Sequence, residues 1–425
     1  HGQEPYAFRL YARDGVTTPM DLEMGSYPID EFYAYWEGKA PLNYGTSVSH
    51  AFARLQTLDE LDAGGRSIYS GAIEEAFKDG QQWKSKLYDP ADVPKIMAAV
   101  EAGLMQGGLG IAFPLGYYTV VGSPEVMAVG SLAKKYNTFA TSHVRYLAQI
   151  PPSGYLGMEE ILAVAHQNDI PLYLFHIPSN CLGLTRQCLD LIDAARERGQ
   201  KVVGEFYPYR YAGTYVDADY LKPGYQQRLG IEAKDVIVTA TGKPLTDEEF
   251  DRLRTEAPRT DLLMYTMKDE YIMEAMTRPS TVVGSDAMPY LFEDGMTGDW
   301  EKPYGAGKGH ARGAGTHARI LRMVRETGAI SLMEAIRKMT LGAASFIEDY
   351  VPQLKERGRV QEGAVADITI FDPETVTDNA TPEIGKNSLP STGIPYVIVN
   401  GTVVVDDSKV LNVAAGVAIR NATFD

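Results

Sequence analysis

The chain has 425 residues, of which 44% are hydrophobic and 23% are charged. These fractions are close to those of an average globular protein, so they argue against a disordered or fibrous chain. Forty Lys and Arg against 56 Asp and Glu give a net charge of -16, which disfavours binding to phosphate backbones and anionic lipids. No apolar run approaches the roughly 18 residues that span a bilayer. We therefore predict neither a nucleic-acid nor a membrane partner.

Cysteine usage indicates the redox environment. Cys181 and Cys188 are the only two cysteines, too few for a disulfide framework, and they favour a reducing compartment. The first residues, HGQEPYAFRL, lack the charged and apolar regions of a signal peptide. We predict that both cysteines are free thiols and that the protein is cytoplasmic.

The middle of the chain alternates short β-branched runs with amphipathic helical stretches, which is typical of repeated βα units. The predicted strands cover residues 16–24, 108–116, 136–144, 170–177, 200–208, 261–266 and 280–286. Predicted helices between them cover residues 90–106, 123–135, 158–168 and 185–199. Gly199 closes the last helix at a C-cap position.

Three polar side chains end successive predicted strands at equal spacing. His143, His176 and Tyr209 follow one another at intervals of 33 residues, which is close to the length of one βαβ repeat. In a (β/α)8 TIM barrel the carboxyl ends of the strands meet at one rim and carry the chemistry. A doubly wound open sheet is the alternative, but no G-x-G-x-x-G fingerprint follows a first strand. We therefore predict an α/β protein with a TIM barrel.

The pattern changes at about Arg359 to short alternating strands, GAVADITIFDP and PYVIVNGTVVVDDSKVLNVAAG. These strands predict a small β domain, so we assign residues 1–358 to the barrel and 359–425 to the C-terminal part of the β domain. Residues 212 to about 245 are rich in Tyr and Gly and predict a long irregular insertion. Such loops at a barrel rim are typical of lids and binding loops.

The predicted strand ends also carry the residues of a possible metal site. His143 and His176 each end an apolar strand, and Glu23 and Asp286 end two others. Two imidazoles on adjacent strands suit a metal, with hydrogen-bonded rim histidines as the alternative. A buried carboxylate at such a position needs a cation or donors. Imidazole and carboxylate without a thiolate cluster suit zinc or a similar divalent metal, which would activate a water for hydrolysis.

Several short motifs follow one another along the chain: GVTT, SHVR, the strand-end His176 followed by EFYPY, GSD at 284–286, HARGAGT at 310–316 and RVQEGAVADITIFDPETVTDNAT. Taken in this order, they resemble the amidohydrolase superfamily and, more narrowly, its N-acyl-D-amino-acid deacylase (D-aminoacylase) branch. The resemblance covers nearly the whole chain and is weakest between about 212 and 280. It implies a TIM barrel with a small β domain built from the chain ends. It also implies one or two Zn²⁺ ions per chain and hydrolysis of an amide bond.

The resemblance implies roles for individual residues. His143 and His176 would be ligands of the tighter metal. Asp286 would contact the second metal position and act as general base and then as general acid. Many members carry a ligating cysteine on the second strand, for which Glu23 is the nearest substitute, with Asp21 as the competing ligand and a structural role for Glu23 as the other alternative.

The opening HGQ resembles the end of the H-x-H pair on the first barrel strand. His1 would then be a further metal ligand, and that strand would lie at or upstream of residue 1. A copper brace at an N-terminal histidine is the other interpretation, but copper-brace enzymes are β-sandwiches, and the βα rhythm argues against it.

The predicted substrate-binding residues are Arg145, Tyr207, Tyr209, His310 and Arg312. Arg145 could pair with a substrate carboxylate or form a structural salt bridge. A tyrosine of the YPY element lies in the substrate pocket of relatives, and the HAR segment either closes the pocket or caps a helix. Relatives often carry a lysine two residues after the second metal histidine, where this chain has Pro178, which weakens the D-amino-acid assignment.

We predict a zinc-dependent amidohydrolase that acts on a linear N-acyl amino acid, which the resemblance indicates could have the D configuration. A cyclic-amide hydrolase or a deaminase on the same scaffold is the first alternative, because fold cannot separate these activities. A metal-free binding homologue is the second alternative. The sequence leaves open whether the chain forms a homo-oligomer.

Overall fold

The structure is a computed structural model and describes residues 4–65, 80–295 and 298–421. Seven of its strands are β1 (Met20–Ser26), β2 (Gly45–Ser49), β3 (Ile111–Pro114), β4 (Ala140–His143), β5 (Leu172–Leu174), β6 (Val202–Phe206) and β11 (Thr281–Val283). They form one parallel sheet in the order β1-β2-β3-β4-β5-β6-β11. Parallel strands are covered on both faces, which explains why most of them are continuous buried runs.

Helices connect these strands and cover the sheet. The longer helices are Pro5–Arg13, Ile29–Trp36, His50–Asp59, Val93–Met105, Ser123–Lys135, Gly154–Asn168, Thr185–Glu197, Asp247–Glu256, Asp269–Thr277, Arg312–Thr327 and Leu332–Met339. Shorter helices are Ile177–Cys181, Gln82–Ser85, Tyr225–Leu229 and Leu341–Ile347. Gly199 follows one of them with a φ of +87°, as expected for a C-cap glycine. Among the helices of the described ranges, none is long and apolar enough to cross a membrane.

The parallel sheet curls on itself. The Thr141 hydroxyl on β4 donates to the Leu22 carbonyl on β1, although β1 and β4 are three places apart in the sheet order. The alternation of strands and helices around a curled parallel sheet confirms the predicted barrel class. A cavity of about 1100 Å³ lies between β1 and β11, the two ends of the sheet order. The eighth strand, predicted at or before residue 1, lies outside the described residues.

Residues 212 to about 245 were predicted as an irregular insertion, but they contribute three strands to a second sheet. It contains β7 (Ala212–Tyr215), β8 (Val236–Val238), β9 (Lys243–Pro244) and β10 (Asp261–Met264), in the antiparallel order β7-β10-β8-β9. The prediction of an irregular segment was wrong because the tyrosines of this segment belong to a hydrophobic core. Tyr215, Tyr220 and Tyr225 are all at most 7% exposed, so their rings pack inward instead of marking a mobile loop.

A separate small antiparallel sheet follows the barrel, as the change of pattern predicts. It contains β12 (Ile368–Ile370), β13 (Tyr396–Val399), β14 (Thr402–Asp406) and β15 (Lys409–Val410), in that order. The division of the chain at residue 358 stays a prediction.

Two further features differ from the sequence-based expectations. β2 was not predicted, because GTSVS is short and polar although all five residues are buried. Cys181 and Cys188 are joined by a disulfide, so the prediction of free thiols is wrong in this structure. A single 3-10 turn, Leu182–Leu184, connects the short helix that ends at Cys181 to the helix Thr185–Glu197, which brings the two buried sulfur atoms together.

Candidate metal centre

Four strands bring two imidazoles and two carboxylates together inside the barrel. Oε1 of Glu23 on β1 lies 3.0 Å from His143 Nδ1 at the end of β4 and 3.3 Å from His176 Nε2 just past β5. His176 Nε2 is also 3.8 Å from Oδ2 of Asp286, which follows β11. One ligand atom each from Glu23, His143 and His176 lie within 4.8 Å of one another. Four of the five predicted metal ligands are therefore neighbours, and the fifth, His1, lies outside the described residues.

Unusual backbone conformations aim two of these side chains inward. His176 has a φ of +30° and Asp286 a φ of +46°, a region that residues other than glycine rarely adopt. Such strained conformations cluster at functional sites. The ring of His143 is held differently, because a β-carbon at Gly116 would overlap its Cδ2 and Nε2 atoms. Glycine at position 116 therefore makes room for the His143 ring.

The site holds more negative than fixed positive charge. Burial raises the pKa of Asp286, Arg312 opposes this rise, and Glu23 adds to it. For His176, burial lowers the pKa, but the carboxylates of Asp286 and Glu23 outweigh burial and raise it to about 9. Both shifts show that the cluster favours an added positive charge. A divalent cation bound between the imidazoles and Glu23 would supply that charge, so the donor set fits a metal.

Arg312 contacts both the cluster and a predicted substrate residue. Its Nη1 lies 2.7 Å from Asp286 Oδ2, and its guanidinium carbon lies 4.6 Å from the centre of the Tyr207 ring. The side chain is 2% exposed, and its Nε has no hydrogen-bond partner among the described residues. Arg312 thus restrains Asp286 and keeps a donor available.

His310 supports Arg312. Its Nε2 lies 2.7 Å from the Tyr211 carbonyl, and its Nδ1 accepts the Arg312 backbone N–H at 3.1 Å. Burial lowers the pKa of His310 well below its ordinary value, and the nearby Arg312 acts in the same direction. A neutral His310 with both nitrogens engaged therefore positions the start of the helix that carries Arg312.

The other predicted substrate residues have different surroundings. Tyr207 is buried, with its ring centre 6.2 Å from that of His176. Tyr209 packs between His310 and the guanidinium of Arg319, with ring-centre distances of 5.4 and 4.6 Å. Their roles in substrate binding stay predictions.

Arg145 forms a salt bridge, the alternative that the sequence left open. Its Nε and Nη2 each donate to Glu160 at 2.7 Å, and its Nη1 donates to the Thr119 carbonyl at 2.9 Å. A contact between Arg145 and substrate stays a prediction, as does the ligand role of His1, which lies outside the described residues.

Glu205 was not among the residues predicted for the site. It lies on β6 and is 5% exposed, and its Oε2 accepts the Tyr173 hydroxyl at 2.9 Å. Its Oε1 has no hydrogen-bond partner within the described ranges. Burial raises its pKa to about 8, His176 opposes the rise, and Asp286 adds to it. One feature of the sequence could have indicated Glu205: it is the only charged residue in the otherwise uncharged strand VVGEF.

Comparisons with known proteins agree with the fold. Residues 227–405 match the amidohydrolase family. N-acyl-D-aspartate deacylase from Alcaligenes xylosoxydans xylosoxydans is 28% identical over 340 residues, which cover 75% of this chain and 61% of that protein. D-aminoacylase from the same organism is 24% identical, and the match covers 94% of this chain and 75% of that protein.

A solved structure also resembles the fold. It is the N-acyl-D-glutamate deacylase of Bordetella bronchiseptica in complex with zinc and a phosphonate inhibitor that mimics the tetrahedral intermediate. It superimposes with a TM-score of 0.73 at 23% identity, covering 97% of this chain and 84% of that chain. The curled parallel sheet, the family match over residues 227–405 and these relatives together make the chain similar to the amidohydrolase superfamily and to its D-aminoacylase-like branch.

Proposed function

We propose that the protein is a zinc-dependent amidohydrolase that cleaves the amide bond of an N-acyl amino acid of D configuration. The observation that carries the proposal is the convergence of Glu23, His143 and His176 beside the Asp286–Arg312 pair. Two relatives named for N-acyl-D-amino acids support the substrate class, and the zinc in the Bordetella enzyme supports the metal.

Glu23, His143 and His176 would hold the zinc ion. Two imidazole nitrogens and one carboxylate oxygen form a common ligand set of catalytic zinc, which leaves a fourth position open. Zinc bound in this way lowers the pKa of a water and polarises a carbonyl group. We propose His1 as an additional ligand from its sequence pattern.

Asp286 would move the proton. Its carboxylate is buried beside the ligand cluster, and its raised pKa favours uptake of a proton from the attacking water. The same proton would then be donated to the leaving nitrogen. The contact with Arg312 holds the carboxylate in place during both transfers.

Arg312 and Tyr207 would recognise the substrate. Every N-acyl amino acid carries a carboxylate next to the scissile amide, and the guanidinium Nε of Arg312 keeps a donor for such a group. The Tyr207 hydroxyl would donate to the developing oxyanion. Arg145 is a weaker candidate for the carboxylate, because Glu160 and a backbone carbonyl already engage its donors.

A substrate screen of the zinc-loaded protein tests the proposal. Paired N-acetyl-D and N-acetyl-L amino acids, including Asp, Glu and Leu, would be compared with dihydrouracil and hydantoins. We expect hydrolysis of the N-acetyl-D compounds. Cleavage of the cyclic compounds alone would favour the alternative activity, and a zinc-loaded protein without turnover on any of them would contradict the proposal.

A further inference from the structure

We propose that Ser179 is a positioning residue that keeps the proton of the His176 imidazole on Nδ1, so that the lone pair of Nε2 faces the metal site. The inference rests on the proposed metal centre and adds a residue that the sequence analysis did not single out.

The hydrogen bonds of Ser179 determine which ring nitrogen carries the proton. Its Oγ lies 2.8 Å from His176 Nδ1 and 3.0 Å from the carbonyl oxygen of the same histidine. A carbonyl oxygen only accepts, so Ser179 makes both hydrogen bonds at once only when its single hydroxyl hydrogen points to that carbonyl. In this arrangement a serine lone pair faces Nδ1, and Nδ1 donates. In a neutral imidazole with Nδ1 protonated, Nε2 is unprotonated.

The surroundings of His176 Nε2 favour the tautomer protonated on Nδ1 only when a cation is present. His176 Nε2 lies 3.3 Å from Glu23 Oε1 and 3.8 Å from Asp286 Oδ2. A lone pair directed at two carboxylates is repelled by them, whereas a metal ion between these atoms attracts all three groups. Ser179 therefore prepares His176 to bind a metal and not to donate to Glu23. Metal-ligating histidines commonly have such a partner on their other nitrogen.

The turn that carries Ser179 is fixed on both sides. His176 precedes the helix Ile177–Cys181 with a left-handed backbone, and Asn180 Nδ2 donates to the Phe175 carbonyl at 2.9 Å. The Cys181–Cys188 disulfide holds the far end of the helix. Ser179 itself is 2% exposed. The hydroxyl thus approaches the ring from a rigid segment, as precise orientation of a ligand requires.

Substitution of Ser179 by alanine removes the hydroxyl and leaves a small side chain that the fold accommodates. Ser142→Ala is the matched control, because the Ser142 hydroxyl is also buried, donates to the Phe113 carbonyl at 3.1 Å and lies next to the ligand His143. The zinc dissociation constant would be measured by competition with a chelating dye. We expect Ser179→Ala to weaken zinc binding by about 10- to 100-fold, and Ser142→Ala to cause a much smaller change.

Imidazole ¹⁵N chemical shifts provide a readout that a purely structural role of Ser179 would not change. They would be recorded on metal-free, histidine-labelled protein at about pH 10, with His176→Ala identifying the resonances. We expect a larger fraction of His176 protonated on Nδ1 in the wild type than in Ser179→Ala. Equal tautomer fractions in the two proteins, or equal zinc affinity of Ser179→Ala and wild type, would overturn the inference. If the wild type binds no zinc, the proposed function fails, whereas the nitrogen shifts still decide the role of Ser179.

Discussion

Glu205→Gln should make the metal-free protein more stable at alkaline pH. The pKa of Glu205 is raised by burial from its ordinary value of 4.5 to about 8, so the folded state holds a proton that the unfolded state releases in this range. The contribution of the protonated acid to stability is therefore present below about pH 4.5 and is lost as the pH rises to about 8. Glutamine keeps the size of the side chain and an oxygen for the Tyr173 hydroxyl, but it cannot ionise.

The magnitude follows from the pKa difference. One pKa unit corresponds to about 1.4 kcal/mol, so the full effect of Glu205, whose pKa rises from 4.5 to about 8, is on the order of 5 kcal/mol. Urea unfolding with a chelator present would be measured at about pH 5 and pH 8.5 for the wild type and for Glu205→Gln. We expect similar free energies of unfolding at pH 5 and a more stable variant at pH 8.5.

A surface variant controls for the loss of one carboxylate. Glu383 is exposed and pairs with Lys386, so Glu383→Gln should change the free energy of unfolding by less than about 0.5 kcal/mol at either pH. A role of Glu205 in the loss of stability at alkaline pH would be contradicted if the free energy of unfolding of Glu205→Gln had the same pH dependence as that of the wild type. It would also be contradicted if the variant were the less stable protein at pH 8.5.

Three further predictions follow from the metal site and the core. His143→Ala and His176→Ala should each lose tight zinc binding and turnover, and wild-type zinc content in both by elemental analysis would contradict the ligand assignment. Asp286→Asn should keep its fold and zinc but lose turnover by at least about a hundredfold; a near-normal kcat would show that another group moves the proton. Lys338 is fully buried and donates to two backbone carbonyls before and within β11, so Lys338→Met should lower the free energy of unfolding by about 1–3 kcal/mol. The surface variant Lys386→Met should change the free energy of unfolding little. Equal losses of free energy in Lys338→Met and Lys386→Met, measured by thermal or urea unfolding, would contradict a stabilising role for the buried Lys338 hydrogen bonds.

The convergence of Glu23, His143, His176 and Asp286 could be predicted because it depends on strand periodicity. The carboxyl ends of parallel barrel strands meet at one rim, so polar residues at the ends of apolar strands are expected to lie together at that rim. In the structure Asp21 Oδ1 accepts the Gly25 backbone N–H at 3.1 Å, whereas Glu23 faces both histidines. Alternation of side chains along the strand places these two acids on the same face, so only the three-dimensional contacts separate their roles.

The other contacts could not be predicted because they depend on irregular backbone. Ser179 reaches His176 only through a left-handed turn, and Arg312 reaches Asp286 from a helix that starts 26 residues later in the chain. The disulfide forms through the short connection between two helices. Glu205 lies on a predicted strand, but strand periodicity gives its face and not its partner Tyr173.

The most direct test of the account is the rate of N-acetyl-D-amino-acid hydrolysis before chelation, after chelation and after zinc is restored, in the wild type and in His176→Ala. The account predicts that chelation abolishes hydrolysis by the wild type and that zinc restores it, whereas His176→Ala stays inactive in all three states. Hydrolysis that survives complete removal of the metal, or zinc-restored hydrolysis by His176→Ala, would contradict the proposed metal centre.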